Sequence, residues 1–520
     1  MKADAAALLC FGLALAAVSG MTLVAGRGRF ADRVVPPGGE LAEWALAGRG
    51  FGALRSWFLL GGSVFTAYTF IAVPALVYGV GGLGFFAVPY TIIVFQLAYL
   101  LLPWLHRAAV VHGWVTPADA VRDRYGSPSL SLAVALTGIL ATMPYVALQL
   151  LGLSALLTVL GVPEQGPWAD GALTATFTVL AVGTYRHGLR APALVAVVKG
   201  VGVFVVTLGC VWAGLHAVGG AGPLFTGADT VLRGHPGVGL LLPDGLGSSY
   251  VTLAVGSALA LLLYPHVLLP AFAARSEDAL RRTSIGLLGW TALLAVVALA
   301  GTAALARGVR VPAGRAELAV PELVHHALPS PVAGLVLGVI GIGALVPAAV
   351  MSVAAASTFA SNVYLEYVNP TAVPAQVTQV ARVVSVVVKL GALAFVLGLR
   401  GRDAITLQLL GGVWILQTLP AVVIGLRVRR LHRYALLAGL GVGVLLGTVL
   451  VAAQGFVAVT RISVAGHEVG VYAGLLALVA NLAVVLLLTP VLDAAGVPRG
   501  LDGTGLHLGG SQRREWQVRS

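Results

Sequence analysis

Residues 57–78, WFLLGGSVFTAYTFIAVPALVY, decide how the rest of this chain is read. The run is apolar and long enough to cross a bilayer, which takes about 20 residues of helix. Yet Gly61 and Gly62 stand together near one third of its length, Pro74 follows, and Ser63, Thr66, Tyr68 and Thr69 lie between them. Irregular backbone at membrane depth persists where it lines a cavity or binds something, because each freed N–H or C=O otherwise goes unsatisfied in hydrocarbon. One reading is a helix unwound at Gly61-Gly62 beside a binding site. The other is a helix kinked for packing, with glycine contacts and hydroxyls bonded to their own backbone.

The composition sets the class. Of 520 residues, 58% are hydrophobic and only 10% are charged, where a soluble chain carries about 25% charged residues. The apolar runs are continuous, not short and alternating, so the expectation is an all-α polytopic membrane protein and not a barrel. The formal charge of +12 comes from arginines in short loops between apolar runs. The positive-inside rule accounts for these, and no nucleic-acid partner is implied. Cys10 and Cys210 both lie in apolar segments, which indicates neither a disulfide framework nor a metal cluster.

Thirteen apolar runs are expected to span: 5–25, the opening stretch, 83–105, 129–160, 170–185, 192–215, 250–273, 284–305, 332–360, 380–398, 404–426, 434–453 and 470–492. Most of the charge near the first run follows it, which favours a retained helix over a secretory signal. With the N-terminus outside, most basic residues fall on the cytoplasmic side, together with the C-terminus. The seventh run is interrupted by Tyr264-Pro265-His266, as the second is by its glycines. Runs 2–6 and 7–11 therefore form two sets of five that enter from opposite sides. Broken helices in matching positions of inverted halves point to a secondary transporter with a midplane site, and this favours the cavity reading of Gly61-Gly62. The expected organisation is a first helix (1–30) outside the core, repeats at 50–215 and 250–430, and an extracytoplasmic loop at 216–249 between them. Two peripheral spans (431–495) and a cytoplasmic tail (496–520) complete it.

Particular motifs carry a resemblance. Leu46-Ala47-Gly48-Arg49, Thr116-Pro117-Ala118-Asp119 with Arg124-Tyr125-Gly126, Gly188-Leu189-Arg190-Ala191 and Ala348-Ala349-Val350-Met351-Ser352 resemble the sodium:solute symporter family. FTAYTFIAVPALVY (65–78), TMPYVALQLLG (142–152), GLRAPAL (188–194), GALVPAAVMS (343–352) and LQLLGGVWILQTLPAVV (407–423) resemble its monocarboxylate permease branch. The resemblance covers about residues 46–430. It implies a LeuT-type 5+5 inverted repeat in the cell membrane and uptake of a short anionic substrate such as pyruvate, lactate, acetate or propionate. The coupling ion would be Na+ or H+. Proline, pantothenate and sugar carriers share the fold, and fold alone does not settle the solute. A membrane enzyme or a sensor is the competing class, but the chain contains no G-x-S-x-G, and only about 28 residues follow the last run.

In the family pattern Na+ lies between the first and eighth core helices. Carbonyls of Gly62, Phe65 and Ala349 and two adjacent hydroxyls hold it. Ser352 supplies the first hydroxyl, whereas the second position is Val353, which cannot coordinate. The branch's aspartate after the paired glycines is Ser63 here. Lys199, one of three lysines in the chain, sits eight residues past Ala191, about 12 Å along its helix. A lysine at that depth is functional by default. Its ammonium can stand where Na+ would bind and carry a proton, act as a fixed counter-charge to the substrate, or snorkel to the rim. For an anionic substrate the candidate donors are the free N–H groups of the broken helix, Thr66, Tyr68 and Thr69. Tyr145 and Gln149, Tyr264 and His266, and Trp414 and Gln417 complete the set. Each of these side chains also fits ordinary interhelical bonding.

Overall fold

The computed structural model describes residues 4–24, 39–163, 166–234, 237–398, 404–464 and 466–504. A helix stands at each of the thirteen expected places. They are α1 (Ala5–Val24), the broken α2 (Ala53–Val64) and α3 (Val73–Val80), α4 (Ala87–His112), α5 (Pro128–Val159), α6 (Pro167–His187) and α7 (Arg190–Val218). Next come the bent pair α8 (Gly247–Leu263) and α9 (Pro265–Phe272), α10 (Glu277–Ala306), α11 (Ser330–Phe359), α12 (Pro374–Gly398), α13 (Ala404–Leu416), α14 (Arg433–Ala453) and α15 (Ala473–Ala494). Among the described residues, nine helices are long and apolar enough to cross a membrane by themselves, or eleven if each bent pair is one span. The count of thirteen is therefore not reached by that measure; part of the reason is that the break leaves α2 as a short piece while α3 runs on with α4 as one span, Tyr68–His112. The tail beyond 504 and the segment 25–38 lie outside the described residues.

Two further expectations change. The interval 216–249 is not all loop, because Ala221–Leu232 is helical and buries Leu224, Ala228 and Leu232. The chain is also not purely helical. Strands β1 (Val459–Val464) and β2 (His467–Tyr472) pair antiparallel between α14 and α15, with Val459 opposite Tyr472.

Both broken helices sit at the centre. α2 packs on α7, α9, α10 and α11. Phe51, two residues before α2, is tied to the residues after α9: the Phe51 N–H donates to the Ala273 carbonyl (3.3 Å) and the Arg275 N–H to the Phe51 carbonyl (2.8 Å). The guanidinium of Arg49 reinforces that junction with bonds to the carbonyls of Phe272 (2.9 Å), Ala109 (3.1 Å) and Trp114 (2.8 Å). α1 lies along α11, where a Cβ on Gly334 would fall 2.1 Å from the Ala7 carbonyl oxygen and one on Gly338 would fall 2.8 Å from Ala14 Cβ. Lipid offers no hydrophobic gain to a helix leaving it, so such close contact through small residues is what holds α1 on the core.

Candidate functional site

The break in the opening stretch is not at Gly61-Gly62. Both glycines lie inside α2, and the helix ends at Phe65, whose backbone is extended (φ −86°, ψ 96°). The glycines serve packing. A Cβ on Gly61 would fall 2.3 Å from the Trp290 indole nitrogen, and one on Gly62 3.2 Å from Ala196 Cβ. Past Phe65 the chain re-enters helix through a widened turn, Tyr68–Ala72. The N–H groups exposed by the break are all taken up locally. Thr66 N–H donates to Thr69 Oγ1 (3.3 Å), Ala67 N–H to Gln149 Oε1 (2.9 Å) and Tyr68 N–H to Thr66 Oγ1 (3.0 Å). Thr66, Thr69 and Gln149 thus act as caps for the second half-helix. Gln149 is itself fixed by its amide, which donates to the Tyr145 carbonyl at 3.0 Å.

The same rearrangement frees carbonyls. In an unbroken helix the Gly62 carbonyl would receive the Thr66 N–H, which here points to Thr69. The Phe65 carbonyl loses the Thr69 N–H, which turns to the Thr66 carbonyl (3.0 Å). Across the interface, Gly343 in α11 lies four residues before Pro347, and proline has no N–H to give back. Lys199 of α7 collects all three. Its Nζ donates to the carbonyls of Gly62 (2.7 Å), Phe65 (2.5 Å) and Gly343 (2.8 Å). The side chain is 1% exposed, which rules out the snorkelling alternative. An ammonium makes three hydrogen bonds at most, and this one makes three.

Aromatic rings close off the same region. Phe65 lies 5.0 Å from Trp290 and 6.3 Å from Phe95, and Trp290 lies 5.0 Å from Phe204. Gly200, next to Lys199, allows Phe58 and Trp290 to press against α7.

Ala349 and Ser352 are on α11 as expected, but the Ser352 hydroxyl donates to the Ala349 carbonyl at 2.8 Å. This is the self-bonded arrangement. Two of the carbonyls named for Na+, those of Gly62 and Phe65, thus accept from Lys199, and the third, that of Ala349, accepts from Ser352. Among the described residues there is no group of three or more His, Cys, Asp or Glu placed to hold a metal ion.

Tyr145, Tyr264 and His266 do come together. Their ring centroids are 5.1–5.4 Å apart in all three pairings, and all are buried. Tyr264 is the hinge between α8 and α9, which bend by 50° there. Tyr264 Oη and both ring nitrogens of His266 have no hydrogen-bond partner among the described residues, and the Tyr145 hydroxyl faces Thr66 without reaching normal bonding geometry. Buried polar groups are nearly always paired, whereas these three touching rings carry polar atoms that no described residue pairs. Tyr68 is buried beside Tyr90, with centroids 6.4 Å apart.

Trp414 and Gln417 are not brought to this site. Trp414 Nε1 donates to Thr448 Oγ1 (2.9 Å) on α14, and the Gln417 amide donates to the carbonyls of Val413 (3.0 Å) and Gly474 (3.1 Å). Asn481 of α15 donates to the Gln417 carbonyl at 2.9 Å. They fasten the peripheral helices to the core. The third partner of Lys199, the Gly343 carbonyl, is not among the residues the sequence singles out, and Pro347 four residues later is the signal that could have found it.

The sodium:solute symporter family pattern matches residues 44–443. The chain belongs to the sodium:solute symporter family. This symporter is 43% identical to a monocarboxylate transport permease of Rhizobium johnstonii over 488 residues, covering 94% of this chain and 97% of the relative. It is 29% identical to an uncharacterized symporter, YodF, of Bacillus subtilis, covering 94% of each. Among solved structures, a substrate-bound, outward-open Na+-coupled sialic acid symporter superposes with a TM-score of 0.73 at 16% identity, over 94% of this chain and 97% of that one. The nucleobase-cation symporter Mhp1 superposes less closely, with a TM-score of 0.53 at 14% identity, over 88% and 96%. The fold is of LeuT type, and the protein is a multi-pass secondary transporter of a small solute, not an enzyme.

Proposed function

We propose that this symporter takes up a short monocarboxylate across the plasma membrane together with a proton carried on Lys199, with its N-terminus outside and its C-terminus in the cytoplasm. One observation carries the coupling: the Lys199 ammonium is held by the Gly62, Phe65 and Gly343 carbonyls, two of which are those expected to hold Na+. Charged, Lys199 ties the break of α2 to α11. Without its proton it loses the charge and one of its three donors, and α2 is freed to move against α11. Alternating access in this class of fold is such a movement of one bundle against another around a fixed site.

The substrate reading is supported by the Rhizobium johnstonii permease and by the chemistry of the aromatic trio. A carboxylate is an acceptor only, and Tyr264 and His266, beside Tyr145, carry polar groups that no described residue pairs. A short apolar tail then lies against Phe65 and Tyr68, both buried at the break. The test is uptake of labelled pyruvate, lactate, acetate, propionate and a set of amino acids into proteoliposomes. Na+ and pH gradients are imposed separately, and protein-free liposomes account for passive entry of the undissociated acid. Carboxylate accumulation driven by the pH gradient and indifferent to Na+ is expected. Accumulation that requires Na+, or that selects amino acids, would reject the proposal.

A further inference from the structure

A second buried lysine lies away from the transport site. Lys389 of α12 is 1% exposed, and its Nζ donates to Thr184 Oγ1 (2.8 Å) on α6 and to the Ser385 carbonyl (3.0 Å) one turn back. Both acceptors are neutral, and the third N–H of the ammonium is unspent. Lys389 forms part of the wall of a lateral cavity of about 380 Å³ between α6 and α12, whose lining residues include Arg186 but no carboxylate.

The cationic residues that line the cavity, Lys389 and Arg186, stand at one end of it, and Thr174 and Thr178 lie toward the other. Thr184 lies three residues from the end of α6, about 5 Å along the axis, and Lys389 bends back toward that level. Arg186 is exposed at the rim, and the Tyr185 hydroxyl accepts from Gln379 Nε2 at 2.8 Å. In the other direction the walls are Ala181 and Val182 of α6 and Val386, Leu390 and Leu393 of α12. Thr178 turns its hydroxyl to its own helix, bonding the Thr174 carbonyl at 2.7 Å. Val182 and Leu390 are 39% and 57% exposed, so the cavity opens sideways onto the surface that faces lipid. Among the described residues neither Lys389 nor Arg186 has an acidic partner; both sit near the end of α6, where headgroups lie, and an apolar groove runs from them toward the bilayer interior.

We propose that this groove holds an anionic phospholipid, with its phosphate on Lys389 and Arg186 and an acyl chain between α6 and α12. Basic pockets between transmembrane helices bind acidic headgroups in this way. A free phosphate would leave the apolar groove unfilled, and a neutral lipid would leave the cations uncompensated. The site would link lipid composition to the packing of α6 on α12, two members of opposite repeats.

The test is thermal unfolding of the purified full-length protein in detergent, titrated with phosphatidylglycerol, phosphatidylcholine or inorganic phosphate. Phosphatidylglycerol alone is expected to raise the melting temperature. Arg186→Gln and Leu390→Trp both change exposed positions, so the fold is kept. The first should weaken the lipid effect about fivefold in concentration, corresponding to about 1 kcal/mol per basic residue near a headgroup. The second should abolish it by filling the groove without touching a charge. Equal stabilisation by phosphatidylcholine, equal stabilisation by inorganic phosphate, or an undiminished phosphatidylglycerol effect in both variants would each overturn the proposal.

Discussion

Replacing Lys199 by alanine tests the coupling reading most directly. The ammonium makes three hydrogen bonds of 2.5–2.8 Å, and truncation leaves three buried carbonyls without a donor. Each unsatisfied group costs about 1–3 kcal/mol, so the ceiling is about 9 kcal/mol by simple addition. Two effects bring the figure down: the variant no longer has to bury a cation, which itself costs several kcal/mol, and water can enter the space left behind. A net loss of about 3 kcal/mol is expected, near the lower end of the carbonyl cost. The transport consequence is sharper. A pH difference of one unit is worth about 1.4 kcal/mol per proton, so one-to-one coupling permits about tenfold accumulation of substrate in the wild type. Lys199→Ala should exchange labelled for unlabelled substrate across the membrane yet accumulate none under the same gradient. The vacated carbonyls should also admit a cation, so Na+ should raise the melting temperature of Lys199→Ala and leave the wild type unchanged. Undiminished pH-driven accumulation by the variant, measured against protein-free liposomes, would refute the reasoning.

Three other outcomes follow from the same geometry. Pro347→Ala supplies an N–H that competes with Lys199 for the Gly343 carbonyl, so the pH profile of uptake should shift while melting temperature stays nearly constant. Gly61→Ala places a methyl carbon 2.3 Å from the Trp290 indole nitrogen. Overpacking of this kind costs about 1–3 kcal/mol, and a Trp290→Leu background should relieve most of that cost in thermal unfolding. Tyr264→Phe removes a hydroxyl that bonds none of the described residues. Stability should hold or rise slightly, while the KM for the carboxylate rises about tenfold, as for loss of one hydrogen bond to a charged group. A stability loss with KM unchanged would mean that the hydroxyl is structural.

Much of this architecture is legible in the residues. The length and continuity of the apolar runs are local properties, and so are the interruptions at 57–78 and at Tyr264-Pro265-His266. From those came the helical membrane class, the paired broken helices and the inverted halves. Lys199 was also legible, because three lysines in 520 residues make one at mid-helix hard to assign to a surface. The peripheral role of Trp414 and Gln417 was not. In a bilayer the lipid is as apolar as the protein core, so the hydrophobic stripe that marks the buried face of a soluble helix is missing. The direction of a polar side chain is then decided by whichever neighbouring helix offers a partner.

The opening stretch separates the two kinds of information. By itself it determined that a helix there would be interrupted and would carry hydroxyls, since glycine, proline and threonine impose those features through their own backbone chemistry. Only the tertiary structure decided that Gly61 and Gly62 are points of contact and that the break falls at Phe65. The reason is physical. A glycine lowers the cost of leaving the helix and the cost of a close approach alike, and the indole of Trp290 against Gly61 favours the second. The carbonyls released there find their partner in Lys199, which they share with the Gly343 carbonyl that Pro347, nearly three hundred residues away, leaves free.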